Sequence, residues 1–213
     1  MKTDDLIAIL STQLEPVDTR SVSRGIVVAI GLGALAAAVL VFVGFGVRSD
    51  VGDLEAFVYL AAKLVFTLAV VTLAAVYLTR LARPGGERRM SFAIIALPFI
   101  GIMGLAVAAL SFAPRSHWHA AVLGNEWVEC LVSIPVIAVV PFALTIWAVR
   151  RAMPTDLRRT GALAGLVAGG LSAMGYSLHC MDDSVPFVAL WYGGTIALCT
   201  VAGALLGPRL LRW

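Results

Sequence analysis

The chain has 213 residues, of which 60% are hydrophobic and only 14% charged. Soluble globular domains carry about a quarter charged residues, so this composition excludes an ordinary water-soluble fold and leaves an apolar excess that needs lipid to cover it. The net charge of +3 comes from arginines scattered between apolar runs, not from a basic patch, and gives no sign of nucleic-acid binding.

Residues 1–24 form a polar segment of mixed charge. A secretory signal would open with a short basic region followed by a short apolar core, so this segment is expected to stay on the protein. Thr3 suits a helix cap, and Asp4 and Asp5 suit its positive end. Leu6, Leu10 and Leu14 then recur every fourth residue with Ile7 beside them, and Pro16 closes the pattern. This is one apolar stripe on a helix too short to be stable alone. Asp4, Asp5 and Glu15 on its polar face would be repelled by anionic lipid, so the expected dock is a groove on a partner protein.

Six apolar runs follow. Gly25–Val47, Met90–Pro114, Cys130–Val149, Thr160–Met181 and Ser184–Pro208 carry no charge, and Ala56–Thr79 carries only Lys63. A helix needs about 20 apolar residues to cross the hydrocarbon, and helices satisfy their own backbone groups there. Strand alternation is missing. The expected fold class is therefore all-α: a polytopic membrane protein of six transmembrane helices, with 25–213 as one transmembrane unit behind the segment 1–24.

Orientation follows from Lys and Arg. Lys2, Arg20 and Arg24 precede the first run, Arg80, Arg83, Arg88 and Arg89 follow the second, Arg150, Arg151, Arg158 and Arg159 follow the fourth, and Arg209 and Arg212 follow the sixth. The opposite loops hold Arg48 and Arg115. The positive-inside rule predicts that both termini lie in the cytoplasm. All three histidines (His117, His119, His179) then fall on the outer face, with Glu126, Glu129, Asp182, Asp183 and two of the three cysteines.

Those cysteines are the chemistry-bearing feature. Cys130 opens the fourth run and Cys180 closes the fifth. The short connection Arg150–Arg159 makes these helices antiparallel neighbours, so both thiols are expected at one height. The residues leave three readings open: a redox-active or structural disulfide, a thiolate metal site of Cys130 and Cys180 with His179, His117, His119 or nearby carboxylates, or inert small side chains. His179 and Cys180 are adjacent and would diverge on a helix. Cys199, well inside the sixth run, reads as a packing residue. Lys63 reads as a side chain that snorkels to the interface. Gly161, Gly165 and Gly169 form a small-residue face for close helix contact. Pro98, Pro135 and Pro141 are expected to bend the third and fourth helices, and the latter pair offers a path from the thiols towards the cytoplasm.

Several segments resemble NrsF-type membrane anti-sigma factors: Met1-Lys2-Thr3-Asp4-Asp5-Leu6-Ile7, Trp127-x-x-Cys130-Leu131, Trp147-Ala148-Val149-Arg150-Arg151 with Pro154-Thr155, and Tyr176-Ser177-Leu178-His179-Cys180-x-Asp182-Asp183-Ser184. Phe187 to Gly193 and the closing Arg212-Trp213 also fit. The family pattern is expected to carry Glu where Asp182 stands. The resemblance implies a multi-pass protein of the bacterial inner membrane that holds an extracytoplasmic-function sigma factor and releases it on a stress signal. Cys130 and Cys180, with His179 beside them, would then sense a heavy-metal ion or an oxidant. Asp4, Asp5, Leu6, Leu10 and Leu14 would contact the sigma factor. No resident cofactor is implied. No hydrolase triad, phosphate loop or nucleotide site is visible, and an enzyme is not expected. The alternative is a membrane thiol-disulfide oxidoreductase using the same pair, although such enzymes usually carry more than one thiol pair.

Overall fold

The computed structural model describes residues 19–50, 53–82 and 92–212, together with Thr3. The amphipathic stripe of Leu6, Leu10 and Leu14, with Asp4 and Asp5, lies outside the described residues, as does most of the arginine loop after Ala82. The described residues are helical with no strand: α1 (Thr19–Gly44), α2 (Leu54–Leu81), α3 (Leu97–Phe112), α4 (Trp118–Leu123), α5 (Trp127–Arg150), α6 (Leu157–Tyr176) and α7 (Val185–Leu210). The first of these takes in residues 19–24, so the polar N-terminal segment runs directly into a long helix.

Five stretches are long and apolar enough to cross a membrane: α1, α2, α3 with its lead-in, the segment ending in α5, and α7. Their outward faces carry the apolar surface that the composition predicted, including Leu35, Val43, Val65, Leu105 and Phe112. α6 differs. It opens on Arg158 and Arg159, is rich in glycine and alanine, and buries almost every side chain from Thr160 to Tyr176. It is the central helix, in contact with α1, α2, α5 and α7. Protein, not lipid, surrounds it.

The small-residue face explains how a central helix fits. A β-carbon on Gly161 would lie 2.7 Å from Gly207 Cα, and one on Gly165 would lie 3.2 Å from Gly203 Cα and collide with the Cys199 carbonyl. The α6 and α7 backbones thus touch, and only glycine permits it. Cys199 fills this seam, as its reading as a packing residue expected.

Three expectations are corrected. Pro98 does not bend a helix: a 3-10 turn, Phe92–Ala96, precedes it, and it sits in the first turn of α3, where its missing N–H costs nothing. Pro135 and Pro141 do lie inside α5. The fifth apolar run does not stay helical to Met181. α6 ends at Tyr176, because the carbonyls of Leu178 and Cys180 are taken by donors from elsewhere: Arg48 N–H at 3.0 Å, and Lys63 Nζ at 3.1 Å with Arg48 Nη1 at 3.3 Å. Nor does Lys63 snorkel. It is 1% exposed, since it turns inward to the Cys180 carbonyl and the half-buried Asp183.

Candidate functional site: a buried dithiol at one end of the bundle

Two short elements shape the end of the bundle that holds the thiols. Helix α4, which links α3 to α5 in sequence, packs against the head of α7. The α4–α5 corner turns at Gly124, whose φ of +57° suits glycine. A β-carbon there would sit 2.5 Å from Asp182 Oδ2. That oxygen accepts the N–H groups of Asn125 and Glu126 at 2.7 and 2.8 Å. The Ser184 hydroxyl donates to the Ala121 carbonyl, and Trp191 Nε1 donates to Val122 O at 2.9 Å. Trp191 belongs to a π-turn, Val188–Tyr192, at the head of α7. The extra residue of such a turn re-aims the side chains around it, here stacking Trp191 against Trp127 with ring centroids 5.1 Å apart.

Cys130 lies in the first turn of α5, and Cys180 lies in the loop between α6 and α7. Both are fully buried free thiols, and the corner from which the Cys130 helix starts is hydrogen-bonded to Asp182, two residues from Cys180. Cys130 and Cys180 thus lie at the same end of the bundle. His179 points elsewhere. Its ring packs against Phe45 at 5.4 Å and Tyr176 at 5.8 Å. Among the described residues no group of three or more His, Cys, Asp or Glu is placed to hold a metal ion. Two adjacent thiolates still suit a soft ion that accepts two ligands, and they equally suit disulfide formation.

Cations surround Cys180. Lys63 Nζ is 3.1 Å from its carbonyl, 3.9 Å from its sulfur and 2.6 Å from Asp183 Oδ1, and stands 5.7 Å over the Tyr192 ring. Arg48 forks onto Asp183 at 2.6 and 3.0 Å and onto Asp50 at 2.6 and 2.8 Å. Burial pushes the Asp183 carboxyl up, but the hydrogen bonds from Arg48 and Lys63 outweigh it and hold the group below the usual carboxylate range. The hydrogen bond from Arg48 likewise holds Asp50 low, and both carboxylates raise Arg48. By itself the acidic loop would disfavour a thiolate. Lys63, 3.9 Å from the Cys180 sulfur, acts in the opposite direction, because a cation beside sulfur favours the ionised, reactive form.

Arg48 was legible in the sequence only as one of two basic residues on the sparse side. The available signal was the lone charge in the apolar runs: a lysine there needs an acid, and Asp182 and Asp183 lie on the loop that carries Cys180.

These features define an α-helical protein with apolar helices of membrane length, closed at one end around a buried dithiol and an ion-pair cluster. More particularly, the chain belongs to the family described as negative regulator of sigma F, which matches residues 10–213. It is 31% identical over 213 residues to the probable anti-sigma-F factor NrsF of Azospira oryzae, and 32% identical over 217 residues to the anti-sigma-F factor NrsF of Caulobacter vibrioides. Both alignments cover 100% of each chain. No solved structure matches the chain.

Proposed function

We propose that this protein is an anti-sigma factor of the bacterial inner membrane. It holds an extracytoplasmic-function sigma factor on the cytoplasmic side and releases it when the outer pair Cys130–Cys180 reacts with a soft metal ion or an oxidant. Full-length kinship to anti-sigma-F factors supports the partner. The single structural observation behind the switch is that two buried free thiols fifty residues apart in sequence are brought to one end of the bundle, where Asp182 ties the Cys180 loop to the start of the Cys130 helix. A bridging ion would displace both thiol protons, and an oxidant would take two electrons and two protons to leave a disulfide. Either event fixes a sulfur–sulfur geometry that the resting pair lacks. His179 tunes the loop through its aromatic contacts. The N-terminal stripe, Leu6, Leu10 and Leu14 flanked by Asp4 and Asp5, is the contact for the sigma factor. Each leucine that fills an apolar groove contributes about 1.5–3 kcal/mol.

The test is co-purification from detergent with the sigma factor encoded nearest its gene. Leu10→Asp should lose the partner while the protein stays in the membrane. Cys130→Ser, Cys180→Ser and the double change should keep the partner and lose the response to metal or oxidant to the same degree, because residues acting as one unit are non-additive. Cys199→Ser should respond normally. If each single change kept half the response and the double lost it, the switch as stated would be wrong.

A further inference from the structure

We infer that the cluster Arg48–Asp183–Lys63 is the mechanical link from the dithiol to α1 and α2, and hence to the cytoplasmic side. This rests on the proposed function and adds the route of the signal. The loop from Leu178 to Ser184 is fastened on two sides by adjacent carboxylates. Asp182 is tied to the backbone of Asn125 and Glu126, the corner from which α5 starts and carries Cys130. Asp183 is tied to Arg48, just beyond the end of α1, and to Lys63 in α2. The Cys180 carbonyl accepts from the same two cations, and the Arg48 N–H holds the Leu178 carbonyl. Both cations are almost completely buried, at 4% and 1% exposure.

Cys130 therefore belongs to the Asp182 side, and Cys180 lies between the two. Drawing Cys180 towards Cys130 pulls the loop towards the α4–α5 corner. The loop cannot move alone, because hydrogen bonds and ion pairs at Leu178, Cys180 and Asp183 join it to Arg48 and Lys63. Buried charges do not part from their counter-ion without a replacement, so the pull passes to α1 and α2. The first of these helices is continuous in sequence with the N-terminal segment, whereas the proline-bearing α5 reaches α1 by packing. Coupling of this kind needs a shared element that both sites bias, and the Leu178–Ser184 loop is that element.

The experiment uses the full-length protein bound to its sigma factor in detergent, in a Cys199→Ser background, with phenylarsine oxide as trigger. This arsenical condenses with two neighbouring thiols, forming two As–S bonds and releasing its oxygen as water. Two quantities are read from each sample: thiols still open to maleimide after denaturation, and sigma factor retained. In the parent protein, release should follow thiol capture. Asp183→Asn and Arg48→Met should lose thiols at the same dose but retain the sigma factor to a dose about tenfold higher, within the usual range of coupling between sites. Arg48→Lys, which keeps a charge for Asp183, should restore release. Release at the parental dose in both variants overturns the link. So does loss of the sigma factor before any arsenical is added, since the cluster would then only hold the fold together. If the parent captures the arsenical but releases nothing, the proposed switch itself fails, and this inference falls with it.

Discussion

Asp183 is the residue on which most of the polar structure converges. It is the shared acceptor for two buried cations, and its side chain is 17% exposed. Removing one side of a buried ion pair costs about 3–5 kcal/mol, because the remaining charge keeps its desolvation penalty. Asp183→Leu should therefore lower the thermal unfolding midpoint in detergent far more than Asp50→Ala, since Asp50 is the more exposed acceptor and leaves Arg48 its bonds to Asp183. The pH dependence has a definite sign. The folded protein holds the Asp183 carboxyl below its ordinary value. Its contribution to stability is thus fully present above about pH 4, the unfolded carboxylate value, and is lost as pH falls through the lower folded one. An unfolding series across this range should show a steeper acid loss for the parent protein than for Asp183→Asn. Equal slopes would mean that Asp183 does not carry the linkage.

At the scale of elements, α6 decides the packing. Its first turn is capped by Asp156, whose carboxylate accepts Arg159 N–H at 2.9 Å, and its glycine face lets α7 approach to backbone contact. Dispersion and close fit drive such contacts within lipid, where tails are as apolar as leucine. Gly165→Leu would force a side chain into the Cys199 carbonyl. Overpacking of this kind costs about 1–3 kcal/mol, and more where the obstacle is backbone. The expected result is a detergent-extracted protein that aggregates at lower temperature, with Gly25→Leu, which faces open space, close to the parent. The same seam explains why α6 tolerates so little apolar surface of its own. The glycines and alanines that let neighbours close in also lower its hydropathy.

For the whole molecule, the arrangement of charge makes a prediction about sidedness. Thirteen basic residues fall in the segments assigned to the cytoplasm, against Arg48 and Arg115 on the other face. Arg48 is buried in its ion pairs, which leaves Arg115 as the exposed basic residue at the dithiol end among the described residues. Reporter fusions after Gly86 and Pro154 should report cytoplasm, and fusions at Pro114 and Asp183 the outer compartment. A cytoplasmic signal at Asp183 would place the dithiol on the wrong side for a sensor of external metal or oxidant.

The sequence by itself determined the helical class, the apolar runs and the close-packing glycine face, and it pointed to two thiols at one end of the bundle. These depend on period, length and composition, which are local properties of the chain. It also pointed to the family, through segments that the full-length comparison then matched. Only the tertiary structure decided which polar residues belong together. Lys63 could have snorkelled, Arg48 could have faced solvent, and Asp182 and Asp183 could have shared one partner. Instead the early end of α6 lets the loop turn inward, and the two acids divide between the α4–α5 corner and the cations of α2 and the end of α1. That division depends on partners up to 135 residues distant in the chain. No local pattern encodes it, because a buried charge is satisfied by whichever counter-ion the packed helices bring within reach.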